Sequence, residues 1–484
     1  MTHGYTTGPG ADPEPAGPYG HPYAPTPGAS AGAPYDFPQQ RTAAPVPEAD
    51  QSPVPDAGRG PVPDAGPGAV PDAGRSPVPD AGPGAGPAAG PAPGAGKPGR
   101  DRYLDLLRSV ALVRVVVYHL FGWAWLSILF PSMGVMFALA GSLMARSLKR
   151  PAWSVIRGRV RRLLPPVWAF SALALTLLFA GGWNPGDDPD QGGGAWGLVK
   201  LFNYLVPIGA PPYPWEAGAP LDWLEGSWAD QAVGPLWYLR AYLWFVIASP
   251  LLLWAFRRAP WPTLLAPLGL TAVVGTGLVT IPGETGHAIS DFAVYGGCWV
   301  LGFAHHDGML KQVPRYVSVS CAALVMAFGL WWASGHQGDD GWDLNDIPLA
   351  QAAWSFGFVV ILLQYSPSWR ELPGRLAKWD KLVTLSNNRA VTIYLWHNLL
   401  IMATVPFVDL LYRVPFLQSE RGMHAIDSSY TIWMFALVWP LIALAVLAVG
   451  WIEDLAAKRG PRLWPNGTKR PARGRPGSRA AHRG

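Results

Sequence analysis

The chain has 484 residues, half of them hydrophobic and 14% charged, with a net charge of +5 and a pI near 9.1. A basic balance can signal nucleic acid, but the Lys and Arg residues lie between long apolar runs and in the last 30 residues, where a membrane protein places them, so no nucleic-acid partner is expected. The mean hydropathy of +0.15 averages two unlike parts: residues 1–98, almost all Gly, Pro, Ala, Ser and acidic residues, and residues 103–455, a succession of apolar runs of membrane-spanning length.

The first part begins MTHGYTTGPGADPEP, with no basic region followed by an apolar one, so it does not read as a signal peptide. Residues 53–82 hold an imperfect eight-residue repeat, PVPDAGRG, PVPDAGPG, AVPDAGRS and PVPDAG. Such a stretch has too little apolar surface to offset the entropy of folding, and the expectation is an extended, solvated chain with polyproline II character. Two readings stay open for it, a tail without chemistry and a docking arm for a partner with a Pro-binding groove. The expected division is a disordered cytoplasmic tail over 1–98, a ten-helix transmembrane domain over 99–456 and a basic disordered cytoplasmic tail over 457–484.

Ten spans are predicted, at 105–126, 131–148, 163–181, 235–256, 261–281, 288–305, 315–333, 347–365, 390–411 and 430–452, giving an all-α polytopic helix bundle. The connecting charges alternate. Arg146, Lys149, Arg150, Arg157, Arg159, Arg161 and Arg162 separate the second and third spans, whereas the loop 182–234 carries Asp187, Asp188, Asp190, Glu216, Asp222, Glu225 and Asp230 against Lys200. Arg257 and Arg258, Lys311 and Arg315, and Arg370, Arg375, Lys378 and Lys381 fall on the first side; Glu284 and Asp339, Asp340, Asp343 and Asp346 fall on the second. The excess of positive charge inside predicts a cell-membrane protein with both termini cytoplasmic. The 25 Trp residues suit belts at the two membrane–water interfaces. Cys298 and Cys321 lie inside apolar runs with no CxxC pair, and both are expected to be buried small hydrophobes. His305, His306 and Asp307 end the sixth span without a matching ligand set elsewhere, so no metal is expected.

The first span, LDLLRSVALVRVVVYHLFGWAW at 104–125, carries Asp105, Arg108, Arg114 and His119 where ionisable groups are expensive. Arg108 and His119 are eleven residues apart, three turns plus about 20°, so they share a face. The rise between them, about 16 Å, is half of a ~30 Å hydrocarbon core, which puts Arg108 near one membrane face and His119 at mid-depth. Asp105, one turn below Arg108, is placed to pair with it. Arg114 lies on another face, as a packing or loop-facing group. A histidine at mid-depth needs a polar cavity or a bonded partner, so this one is either a satisfied inter-helix contact or a functional group.

The opening DRYLDLLRSVALVRVVVYH resembles that of the acyltransferase 3 family of integral membrane acyltransferases. GVMFALAG at 134–141, RVRRLLPPVW at 159–168, PLWYLRAYLWFVIASPLL at 235–252 and SNNRAVTIYLWHNLL at 386–400 are similar to later elements of that family, in family order, over about 350 residues. The second span departs from the family pattern, with Ala140 where Ser is usual. The resemblance implies that Arg108 and His119 are catalytic. It implies also that Arg159 and Arg162 hold the phosphates of an acyl-CoA donor, most often acetyl-CoA, and that the acceptor is a hydroxyl of a glycan or lipid-linked carbohydrate outside the cytoplasm. No bound cofactor is expected beyond the donor substrate. The chemistry of the residues fits: paired arginines grip phosphate through charge-assisted, bidentate bonds, although the same cluster also suits lipid phosphates. Imidazole takes a proton from a hydroxyl near neutral pH, or attacks the acyl carbon itself. Arg108 can orient the donor or stabilise negative charge on the thioester oxygen. Trp237 and Arg240, one turn apart, and His397 in the ninth span are pocket candidates beside Asp105, each equally readable as an interfacial or packing residue.

Two rival functions remain at this level. A transporter or flippase suits buried Arg and His, but residues 103–455 hold no convincing internal repeat. A membrane scaffold rests only on the Pro-rich tail. No P-loop, GxSxG elbow or HExxH motif occurs in the sequence.

Overall fold

The computed structural model describes residues 101–188, 193–214, 218–221, 224, 228–338 and 341–467. The expectations for the repeat-bearing tail, for Asp190, Glu216, Asp222, Glu225, Asp339 and Asp340, and for the basic tail beyond 467 lie outside these residues. The described residues form helices and turns, with no strand among them. Each of the ten expected segments holds an α-helix: α1 (Arg102–Phe121), α2 (Ser132–Ser147), α3 (Ala152–Ala180), α4 (Leu236–Arg258), α5 (Pro260–Gly275), α6 (Gly283–Asp307), α7 (Arg315–Ser334), α8 (Pro348–Gln364), α10 (Ala390–Met402) and α11 (Glu420–Ala448). Two shorter helices, α9 (Asp380–Asn388) and α12 (Trp451–Ala456), flank the last pair. Six helical stretches among the described residues are long and apolar enough to cross a membrane: Trp125–Ser147, Ala152–Ala180, Trp228–Arg258, Arg315–Ser334, Ala390–Arg413 and Glu420–Ala448. The other four differ for evident reasons. α5 and α8 have 16 and 17 residues, short of the about 20 that span a bilayer, and α1 and α6 are interrupted by ionisable side chains.

Several boundaries move for local reasons. The Asp101 side chain caps α1 by accepting from the Tyr103 N–H at 3.0 Å. Gly122, in the left-handed region at φ 62°, then stops the helix at Phe121 by donating its N–H to the Tyr118 carbonyl. The first span therefore ends five residues early, and Trp125–Leu129 is a separate short helix. α3 starts at Ala152, ahead of the expected third span, so it carries Arg157, Arg159, Arg161 and Arg162. α11 starts at Glu420, where Ser419 accepts from the Gly422 N–H at 3.2 Å.

The core is aromatic and spans α2, α4 and α6. Phe137, fully buried, has Tyr238, Tyr295 and Phe245 rings 4.8, 5.1 and 5.2 Å away, and Phe245 stacks on Trp299 at 5.0 Å. Small residues let α2 and α6 touch backbone to backbone: a Cβ on Gly141 would stand 2.2 Å from the Trp299 carbonyl oxygen. Cys298 is buried as expected, but Cys321 is exposed. α7 packs chiefly on α8, which leaves the rest of its surface, Cys321 included, facing outward.

Beyond α11, a polar lock joins α12 to the start of α10. Arg389, fully buried, donates to Asp454 Oδ2 at 2.7 Å and to the Arg462 carbonyl oxygen, and Arg462 Nη2 reaches Asp454 Oδ1 at 2.5 Å. The neighbouring Glu453 accepts from the Thr392 N–H at 2.8 Å and its hydroxyl at 2.6 Å. Burial pushes the Glu453 carboxyl up to about 7, with Asp454 adding to the rise and the Thr392 bonds and Arg389 opposing it. The unfolded carboxyl titrates at about 4.3, so between there and about 7 the folded chain holds a proton the unfolded chain has lost. That contribution to stability is complete below the unfolded value and is lost as pH rises through the folded one. The thermal midpoint of the wild type in detergent is expected to fall more between about pH 5 and about pH 7.5 than that of Glu453→Gln. Equal pH dependence in the two proteins would contradict this.

Candidate active site

The site grows from the polar face of α1. Arg108 is half-buried and donates from Nη1 to Asn387 Oδ1 on α9 at 2.9 Å. Asn387 is itself fixed, its Nδ2 donating to the Asp105 carbonyl at 2.8 Å, the Ser109 hydroxyl at 2.9 Å and the Val383 carbonyl at 2.8 Å. An amide so placed orients the guanidinium. Asp105 is buried and forms an ion pair with Arg102 at 2.8 Å, and Arg102 goes on to Asp380 and to the Thr384 hydroxyl. The carboxylate therefore helps anchor α1 to α9.

His119, three turns further along the same face, meets α10. Its ring centroid lies 4.9 Å from that of His397, and 5.3 Å from Tyr118. His397 is 1% exposed, and its Nδ1 lies 2.6 Å from the Tyr394 carbonyl oxygen. A carbonyl only accepts, so Nδ1 carries the proton and Nε2 keeps its lone pair. That Nε2 makes no hydrogen bond among the described residues. The i−3 carbonyl of α10 thus fixes one tautomer and leaves a basic nitrogen in a buried place beside His119.

A series of rings leads from this pair towards the arginines of α3. Tyr394 lies 5.6 Å from His397, Tyr238 lies 4.9 Å from Tyr394, and Tyr242 stacks 6.4 Å from Tyr238. The Tyr242 hydroxyl accepts from Arg159 Nη1 at 3.2 Å. Arg159 Nη2 also donates to the Ser147 hydroxyl and to the Leu143 carbonyl, so it is built into the α2–α3–α4 contact. Arg108 acts electrostatically on Tyr238, midway along the series. Arg162, three residues on, is exposed and shares none of these bonds.

Other polar groups gather around α4 and α6. The Trp237 ring lies 5.7 Å from Tyr295. Arg240 is buried and forms an ion pair with Asp291 on α6 at 2.7 Å. Tyr118 donates to Asp343 Oδ2 at 2.5 Å, and the Arg114 guanidinium lies 4.5 Å over the Tyr118 ring while its Nε donates to the Leu126 carbonyl. Arg114 is thus a packing residue that faces the turn after α1.

The structure brings Arg108, His119 and His397 to one interface of α1 with α9 and α10, and joins Arg159 to it through tyrosines. Trp237 and Arg240 sit one helix away, at the α4–α6 contact. Sequence reading missed Asn387, Tyr238 and Tyr394, although all three lie inside stretches it singled out. Asp291 and Asp343 gave no local signal, because their partners are 51 and 225 residues distant.

With that geometry in place, comparison with known proteins adds one finding. A family model described as an acyltransferase domain matches residues 101–452. No curated protein and no solved structure matches the chain.

Proposed function

The chain belongs to the acyltransferase 3 family, and from that membership we propose that it moves an acyl group, acetyl in the simplest case, from acyl-CoA to a hydroxyl of a carbohydrate-type acceptor. In this reading the bundle crosses the cell membrane ten times with both termini in the cytoplasm. The donor enters at the arginine-bearing end of α3 and the acceptor from the opposite face. The observation that carries the reading is the His119–His397 pair, 4.9 Å between centroids, joined by rings to Arg159.

The roles follow from chemistry. His119 takes the proton of the acceptor hydroxyl as its oxygen attacks the thioester carbonyl carbon. The carbonyl oxygen takes up negative charge, which Arg108, positioned by Asn387, stabilises. Collapse of the tetrahedral intermediate breaks the carbon–sulfur bond, and the thiolate of CoA recovers the proton from His119. His397, with its tautomer set by Tyr394, keeps a lone pair beside His119 that can accept a hydrogen bond from the imidazolium once His119 has taken the proton. Arg159 and Arg162 hold donor phosphates, and Trp237 with Tyr295 offers aromatic faces to a sugar. The rings between Arg159 and His119 line the way for the thioester arm. A catalytic group at mid-depth lets a donor from one face and an acceptor from the other meet without either crossing.

The test is transfer of a labelled acyl group from acyl-CoA to a panel of glycan and glycolipid acceptors by purified protein in lipid nanodiscs. Label in an acceptor hydroxyl is expected. Substrate movement across proteoliposomes without acyl-CoA, and no label transfer, would replace this reading with a transporter.

A further inference from the structure

We propose that the segment following α12 is part of the phosphate-binding site and that Arg459 is one of its ligands, beside Arg162. The proposal rests on the reading that the arginine-bearing end of α3 receives an acyl-CoA, and it assigns to that site a residue far outside the sequence element that suggested it.

α12 packs against α3, the helix that carries Arg157, Arg159, Arg161 and Arg162. The chain leaves α12 through Lys458, the one non-glycine residue at positive φ among the described residues, at 55°. A lysine there is strained, and two bonds close the turn: the Lys458 N–H to the Leu455 carbonyl and the Arg459 N–H to the Asp454 carbonyl at 2.8 Å. The segment is then tied down. Arg462 bonds the buried Asp454 through its backbone N–H and its side chain, Arg389 donates to the same carboxylate, and Asn388 Nδ2 donates to the Pro465 carbonyl at 2.9 Å. Residues 459–465 are thus fixed against the bundle.

This turn delivers Arg459 to a place already crowded with its own charge. Of the positive charges that act on Arg162, Arg459 acts most strongly, ahead of Arg159, Arg161 and Arg150. Both Arg459 and Arg162 are exposed, and among the described residues no carboxylate lies within ion-pair distance of either. Two uncompensated guanidinium groups, one of them held by a strained turn, form the setting that a multiply charged phosphate relieves through several charge-assisted bonds. Phosphate of that kind comes from CoA, with its diphosphate and 3′-phosphate, or from a lipid headgroup. The series of rings from Arg159 to His119 favours CoA.

The experiment measures CoA affinity by calorimetry on the full chain in phosphatidylcholine nanodiscs at low salt. It compares wild type, Arg162→Ala, Arg459→Ala and Arg459→Lys, and repeats the series with dephospho-CoA. Arg459→Ala is expected to weaken CoA about tenfold, comparably to Arg162→Ala, with partial recovery in Arg459→Lys and a smaller loss at high salt. A smaller Arg459→Ala effect with dephospho-CoA places Arg459 at the 3′-phosphate. Equal affinity of Arg459→Ala and wild type, with Arg162→Ala weakened, overturns the proposal and leaves the acyltransferase reading standing. An Arg459→Ala effect seen only as weaker association with phosphatidylglycerol discs overturns it in favour of a lipid headgroup. Failure of the wild type itself to bind CoA removes the donor reading on which the proposal stands.

Discussion

Arg389→Ala is expected to destabilise the folded protein by about 3 kcal/mol or more, seen as loss of monodisperse protein in detergent or a large fall in its thermal midpoint. Arg389 is fully buried and its partner Asp454 is 2% exposed. Their attraction does not make the pair strongly stabilising by itself, because two charges lost their water to form it. The large effect comes from removing one partner. Asp454 would keep only Arg462, whose side chain is 40% exposed, and the Arg462 carbonyl would lose its donor. The same argument predicts a partial reversal. Arg389→Met combined with Asp454→Leu is expected to be more stable than Arg389→Ala, since no uncompensated charge stays buried. A single variant within about 1 kcal/mol of wild type would show that water reaches this lock.

His119→Ala is expected to lower turnover at least about 100-fold while the protein still inserts and folds, the scale of a lost general base. His119 sits in a half-buried position at a helix interface rather than in the aromatic core, so truncation leaves the Phe137–Trp299 packing intact. His397→Ala is expected to be less severe, because His397 acts through His119. Groups that act as a unit lose activity non-additively, so the double variant should be no slower than His119→Ala alone. Independent, multiplying losses would mean that the two histidines serve separate steps. Tyr394→Phe is not an adequate probe of the tautomer, since the bond to His397 comes from the Tyr394 backbone carbonyl.

The sequence made some parts of this site readable and hid others. The shared face of Arg108 and His119 follows from helix geometry alone, and their partners do lie on consecutive elements, Asn387 on α9 and His397 on α10. The family resemblance, carried by stretches at five places, is borne out by the match over residues 101–452. What could not be read was which distant element answers each charge. Asp105 pairs with Arg102, which is itself drawn into place by Asp380, 278 residues away. Arg240, read as an acceptor-side or snorkelling group, pairs with Asp291, 51 residues away, a partner its own span does not announce. Hydropathy gave segments, but it could not show that Gly122 ends α1, or that Arg159 would reach Tyr242 while Arg162 stays outside. The local cap at Gly122 decides the first, and the contact of Arg159 with Tyr242, 83 residues away, decides the second.

The central claim is best tested by release of free CoA from acyl-CoA, measured for wild type and His119→Ala in lipid nanodiscs with a responsive acceptor present. The account predicts acceptor-dependent release by the wild type and loss of at least about 100-fold in the variant, with CoA binding retained in both. Equal release by the two proteins would contradict the assignment of His119 and, with it, the catalytic site described for this bundle.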